Sequence, residues 1–388
     1  MTESKFIASG DLEDAIAIVV GTRPGIVMFA PIIKAFERSG LEHFVIHTGQ
    51  HYSPNMDGQF FADLGLRDVD HRIEGVPERR THGGQTAAML EGVEKILLDR
   101  RPRLILVGGD ANTNLAAALA ARKLHINVGH VEAGERSYDW RMPEEHNRVI
   151  IDHISDVLFV TCERSVENLR KEGIRGRIEV TGNPIVDASM QHAEIAAEHS
   201  AILSDLGIKP GEYGVMTTHR EENVDVEEHL IGSLEGVDTA SREAGITTIF
   251  AAHPRTTKRL REFGRTEWVE SLANIRMIDA VGYLDFLHLV SNARIVFTDS
   301  GGVQQEACIH HTPCVTLREN TEWTETLDIG ANRLAGSDPE RIVNATRDAL
   351  QEKRAWVCPF GSGDTAEQIV AIAAEFGRVP CETTGTAS

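Results

Sequence analysis

The stretch AIAIVVGTRPGIVMFAPIIKAFERSG, residues 15–40, decides the fold. An apolar run ends in Gly21, Arg23 and Pro24, and residues 26–40 then read as a helix. The order strand, glycine-containing turn, helix recurs along the chain. LILVGGD (104–110) predicts a short buried strand and TNLAAALAARKLH (113–125) an alanine-rich helix. INVGHVEAG (126–134) predicts the next strand and loop. PEEHNRVIIDHISD (143–156) has Pro143 at a first helical position, with Val149, Ile150 and Ile154 on one face. VLFVT (157–161) and RIEVTGNP (177–184) complete one parallel-sheet half. A second series follows in YGVMTTH (213–219), TTIFAAHP (247–254), IRMID (275–279), RIVFTDS (294–300) and PCVTL (313–317). The expected class is α/β, with two Rossmann-like domains facing a central cleft. The expected boundaries are 1–188 and 189–375, the last helix being able to pack back on the first domain, and 376–388 is read as a flexible tail.

The bulk numbers narrow the function. The chain has 388 residues, which favours two domains over one. Its formal net charge of −20 argues against a sequence-blind nucleic-acid binder, which needs a basic surface to displace counterions. No apolar run is long enough to span a membrane. MTESKFIASGDLEDA lacks the basic start and apolar middle of a signal peptide, so a cytoplasmic location is expected. Five cysteines with no CxxC pair fit reduced thiols rather than disulfides or zinc. No metal signature is present, and no metal or cofactor is expected. An anionic ligand would need a local reversal of the acidic background, from arginines, histidines and helix N-termini.

Several strand ends supply those groups. Arg23 in VVGTRPG can present a guanidinium fork to a phosphate, although the same residues also suit an ordinary turn. In TDSGGVQQEA (298–307), Ser300, Gly301 and Gly302 open a helix whose free N–H groups suit an anion. Glu306, one turn in, can accept hydrogen bonds from ribose hydroxyls; the alternative is a plain helix start with a surface glutamate. His219 and Arg220 in TTHREEN, and His253 and Arg255 in AAHPRT, place a histidine and an arginine at two strand ends. Acids gather in the first half. Asp110 stands at a strand tip, where Asn112 or Asn114 could cap the next helix in its place. Glu132 lies at the end of an otherwise apolar strand, where burial is costly without a task. Glu144 opens a helix, where the dipole or Arg148 would also account for it. Arg136, in the same acid- and base-rich stretch GHVEAGERSYDWRMPEEHNRV (129–149), joins the candidate binding residues. Crowded carboxylates raise one another's pKa, so one can hold a proton while another acts as base.

In these motifs the chain resembles the non-hydrolysing UDP-N-acetylglucosamine 2-epimerases. The resemblance rests on GTRP, HTGQHYSPNMD, GGDANTN, GHVEAGERS, RMPEEHNR, VTGNPIVD, THREEN, HPRT, VGYLDFLHLVSNA and TDSGGVQQEA, in the family's order over roughly residues 15–375. It implies the GT-B arrangement, a homodimer, a UDP-linked N-acetyl sugar as ligand, and no redox cofactor. It also implies interconversion of UDP-GlcNAc and UDP-ManNAc by loss of UDP, formation of 2-acetamidoglucal and re-addition of UDP. Asp110, Glu132 and Glu144 match the family's catalytic carboxylates, and His219 the histidine that helps the diphosphate leave. Arg23 matches a nucleotide-binding arginine; Ser300, Gly301, Gly302 and Glu306 match diphosphate and ribose contacts. Gln50, His51 and Gln85 fall near the segments that bind a second, activating substrate molecule in bacterial members.

The chain also departs from the pattern. GTRPGIVM has Gly25 and Met28 where many members carry glutamate and a functional lysine. TEWTE (321–325) has Trp323 and Thr324 where many read Arg-Pro. A tryptophan there resembles the branch acting on UDP-2,3-diacetamido-2,3-dideoxyglucuronate. The competing readings are that branch, a hydrolysing epimerase, a GT-B glycosyltransferase, and a non-catalytic sugar-nucleotide binder.

Overall fold

The computed structural model describes residues 13–50, 61 and 64–376. His51, most of the HTGQHYSPNMD motif, Cys381 and residues 377–388 of the expected tail lie outside them. The chain divides into two units, one of residues 1–188 and 360–388 and the other of residues 189–359.

In the first unit seven parallel strands run in the order β3-β2-β1-β4-β5-β6-β7. They are β1 (Glu13–Val20), β2 (His43–His47), β3 (His71–Arg72), β4 (Pro102–Gly108), β5 (Asn127–Ala133), β6 (Val157–Val160) and β7 (Arg177–Val180). Residues Ala15–Val20 of β1 and the whole of β4 are buried, as sheets covered by helices on both faces require. One side of this core joins Ala17, Val19, Ile105 and Val107 to Ala117, Ala121 and Ile151 of the covering helices. Helix Pro143–Ile154 turns a different face inward than its apolar pattern suggests. Ile151 is fully buried, while Ile150 is 41% exposed. Its inward face also carries Glu145 and Asn147, whose partners lie in the strand-end loops, and Asp152, which meets His130 of β5. Helix Thr365–Glu375 packs on helix Arg23–Ser39 of this unit, and buried Arg103 holds its end by donating to the carbonyls of Ala373 and Phe376.

The second unit repeats the plan with six parallel strands in the order β10-β9-β8-β11-β12-β13. They are β8 (Tyr213–Thr217), β9 (Thr247–Ala252), β10 (Ile275–Asp279), β11 (Ile295–Thr298), β12 (Cys314–Thr316) and β13 (Asn332–Leu334). Met216, Phe250, Phe297 and Val315 form one face of its core; Val215, Ile249 and Val296 form the other. No helix among the described residues is long and apolar enough to cross a membrane.

Candidate functional site

In the first unit the candidate groups stand at the carboxyl ends of β1, β4, β5 and β7, where open parallel sheets bind ligands. Glu132 is set apart from the other residues of β5 by its backbone. The β5–β6 register slips between Val131 and Ala133, and Glu132 sits in that bulge with φ 65°, a left-handed conformation rare outside glycine. Such strain persists only where the surroundings hold it, and here they do. Gly109 N–H donates to Val131 O at 3.0 Å, and Asn183 Nδ2 donates to Glu132 Oε1 at 2.9 Å. Burial pushes the Glu132 carboxyl up to about 8, and the charges of Glu135 and Asp110 push the same way. Arg148 opposes the shift and forms an ion pair with Asp110.

The acid- and base-rich stretch sorts into separate groups. His130 Nδ1 lies 2.6 Å from Asp152 Oδ1, with both side chains fully buried. Arg136 pairs with Asp152 and Glu172 at 2.7 Å each and donates to the Glu135 carbonyl. Burial alone would raise Asp152, but His130 and Arg136 hold it below the usual carboxylate range. Arg136 is therefore enclosed in an ion-pair network, and a substrate anion would have to displace Glu172 to reach it. Glu145, not Glu144, carries the bonds of its helix turn. It accepts from Ser137 N–H and Oγ–H, from Tyr138 N–H and from Arg148. Glu144 is half-buried on the first turn of that helix. Asp139 and Arg141 pair with each other on the surface. Asn112 and Asn114 do not cap helix Asn112–Lys123; Asn114 instead bridges both backbone groups of Gly108, and Asn112 accepts from Asn147.

At the end of β1, Thr22 caps helix Arg23–Ser39 by accepting from Gly25 N–H, and Arg23 is exposed at its first position. Gly21 serves packing: a side chain there would collide with the hydroxyls of Thr48 and Thr113. Gln50 accepts from Thr113 N–H at 2.8 Å, and Gln85 donates to Arg79 O at 3.2 Å. Buried Met28 reaches the Glu132 neighbourhood. Its Cε and Glu132 Oε2 lie 3.6 and 3.4 Å from where a Gly109 side chain would begin.

In the second unit, β9, β8 and β11 are neighbours and end in His253, His219 and Ser300. The two imidazole centroids are 5.5 Å apart. His219 Nδ1 lies 3.2 Å from Asp299 Oδ1, and its ring is 40% exposed. Burial lowers His253, and His219 and Arg255 lower it further. Arg255 pairs with Asp225 and Glu221 instead of facing outward. Ser300 precedes helix Gly301–Ile309 and makes no side-chain cap, so the first-turn N–H groups of Gly301 and Gly302 lack that partner. Burial pushes Glu306 up to about 7, against the pull of the Tyr283 hydroxyl. Trp323 is buried against the start of this helix beside Glu322. Sequence reasoning passed over Asn183 and Asp299, and it met Glu135 and Arg148 only as members of the charged stretch 129–149, Arg148 as a partner for Glu144. An acid closing the apolar run IVFT was a readable signal for Asp299; Asn183 lay inside the motif VTGNPIVD with nothing local to mark it.

Comparison with known proteins gives the family. The family model for UDP-N-acetylglucosamine 2-epimerase matches residues 34–374. The chain belongs to the UDP-N-acetylglucosamine 2-epimerase family. It is 46% identical to the UDP-N-acetylglucosamine 2-epimerase of Methanocaldococcus jannaschii over 92% of this chain and 98% of that one. A crystal structure of the M. jannaschii enzyme in complex with UDP-GlcNAc and UDP matches with a TM-score of 0.81, covering 92% of this chain and 99% of that chain. The UDP-2,3-diacetamido-2,3-dideoxy-D-glucuronate 2-epimerase of Pseudomonas aeruginosa is 35% identical over 86% of this chain and 92% of its own. The expected α/β class with two Rossmann-like units is the architecture this epimerase family member has.

Proposed function

We propose that this protein epimerises C2 of UDP-GlcNAc, interconverting it with UDP-ManNAc. The observation that carries the reading is Glu132, a carboxyl held in a bulge beside Asp110 and pushed up to about 8. Such a group exchanges protons near neutral pH, and the match to the M. jannaschii enzyme supports the substrate. The C2 hydrogen lies beside no carbonyl, so departure of the leaving group must drive the reaction. The C1–O bond breaks and UDP takes its electron pair. The C2–H pair becomes the C1=C2 bond of 2-acetamidoglucal, and the proton passes to a carboxylate. Protonation of the alkene on its other face and return of UDP complete the inversion.

Asp110 and Glu132 are the carboxylates whose placement supports these proton transfers. Glu144 enters on the motif RMPEEHNR alone. His219 and His253, with Ser300, Gly301 and Gly302 at the helix start, suit the diphosphate, and Glu306 suits the ribose. Arg23 is assigned to the nucleotide, and Arg136 to holding Asp152. A homodimer in the cytoplasm is part of the same proposal.

The test is NMR of the purified protein in D2O with UDP-GlcNAc, where deuterium at C2 and UDP-ManNAc are expected. Release of free ManNAc would identify a hydrolysing enzyme. UDP binding without exchange would leave the diacetamido-glucuronate sugar, which Trp323 and the P. aeruginosa relative favour, or a silent binder. Running that sugar in parallel separates the two.

A further inference from the structure

The family reading leaves Asn183 without a task, although the structure gives it one position and one orientation. Its side chain is fully buried in the loop after β7. Its backbone N–H donates to Phe360 O at 2.6 Å. Its Oδ1 accepts from Ile185 N–H at 3.0 Å, and its Nδ2 donates to Glu132 Oε1 at 2.9 Å. The backbone N–H of Ile185 can only donate, so the amide oxygen must face it and the NH2 group must face Glu132. The bulge at Glu132 fixes where its carboxyl starts, and the Asn183 bond fixes one of its two oxygens. The other oxygen, Oε2, and the Met28 methyl both border the space over Gly109.

We propose that Asn183 is a positioning residue that holds Glu132 by Oε1 and leaves Oε2 as the oxygen that gives and takes the proton at the substrate carbon. This rests on the epimerase reading above. In one direction the Oε2–H bond breaks, its pair stays on the carboxylate, and the proton joins C2 of the alkene. In reverse the C2–H pair stays with the sugar and the proton returns to Oε2. A neutral amide suits the task because it binds the carboxyl without committing it to one charge. The charged groups acting on Glu132 are Glu135, held by Thr161 and Ser165, together with Asp110 and Arg148. Of these only Arg148 favours ionisation, and the Asn183 bond adds to that side.

The experiment is the pH profile of kcat and KM for C2 exchange in the full-length wild type, Asn183→Ala, Asn183→Asp and Asn183→Ser. Loss of the donor in Asn183→Ala should lower kcat by at least about tenfold with KM within about threefold, since the reacting oxygen is no longer held. It should also move the Glu132 limb to higher pH. Asn183→Asp keeps the acceptor for Ile185 but turns a second carboxylate toward Oε1, and should move the limb further the same way. Asn183→Ser, with a hydroxyl donor, should return part of both changes, and it carries the test if the alanine variant does not fold. Glu132→Gln is the control. If wild type exchanges C2, Glu132→Gln does not, and the folded Asn183 variants keep the wild-type limb, Asn183 is scaffold and this proposal fails alone. If wild type does not exchange, or Glu132→Gln still does, the proposal fails together with the reading beneath it.

Discussion

Glu132 in the first unit and Asp299 in the second are both carboxyl groups at the ends of parallel strands, yet they are held in opposite states. Asp299 is fully buried, which alone would raise it, but it accepts from Thr218 Oγ, His219 N–H, Arg220 N–H and Asn223 Nδ2 and lies beside the His219 ring. Those donors hold it far below the usual carboxylate range. Glu132 accepts from one amide and faces two acids, and it is pushed up instead. The comparison teaches that burial does not set the role of a strand-end acid. The balance of donors against like charges does. With many donors the acid keeps its charge and anchors the His219 and Arg220 loop; with few it holds its proton to higher pH, the property the proposed function draws on.

The largest effect that would break this comparison is on turnover. Glu132→Gln should lower the C2 exchange rate by at least about a hundredfold, the scale for a lost proton-transfer group, while UDP affinity measured by calorimetry stays within about threefold. Equal losses in both would make Glu132 an anchor like Asp299. Next comes stability. Asp299→Ala strands several buried donors and should cost about 3 kcal/mol in urea unfolding of the full chain. Because the folded-state pKa of Asp299 is depressed, its contribution is present above the unfolded value of 3.8 and is lost as pH falls below it. Wild type should therefore lose stability on acidification more steeply than the variant.

A substitution at Met28 sharpens the contrast from the other side. Met28→Lys would bring an ammonium toward Glu132 Oε2 and should lower the Glu132 pKa by about 1–3 units. The corresponding limb of the kcat profile should move to lower pH; an unmoved limb would mean that position 28 does not act on Glu132. The smallest effect is again linkage, now with the opposite sign. Glu132 rises from 4.5 in the unfolded chain to about 8 in the fold, so the native state binds the extra proton between those values. Stability contributed there is present at low pH and falls as pH rises through that window. Glu132→Gln should thus gain roughly 1 kcal/mol or more on wild type between pH 5 and pH 8, as read by thermal unfolding at each pH.

Local sequence was enough to set the class and the strand ends. Apolar runs of four to eight residues followed by Gly, Asp, His or Ser locate β1, β4, β5, β8, β9 and β11, and the run VLFV locates β6, because strands buried on both faces tolerate little else. It did not disclose β2 (HFVIH), β3 (HR) or β13 (NRL), which are short and carry histidine, arginine or asparagine that only neighbouring strands make acceptable. It located Asp110, Glu132, His219 and Ser300 and left open what state each would be held in. Tertiary structure decided that Arg136 is enclosed by Asp152 and Glu172, that Glu145 rather than Glu144 anchors its loop, and that Asn183 meets Glu132 across 51 positions of chain. The physical reason is that secondary structure follows from local apolar periodicity, whereas a side chain's charge state follows from donors and charges that residues distant in sequence bring to it.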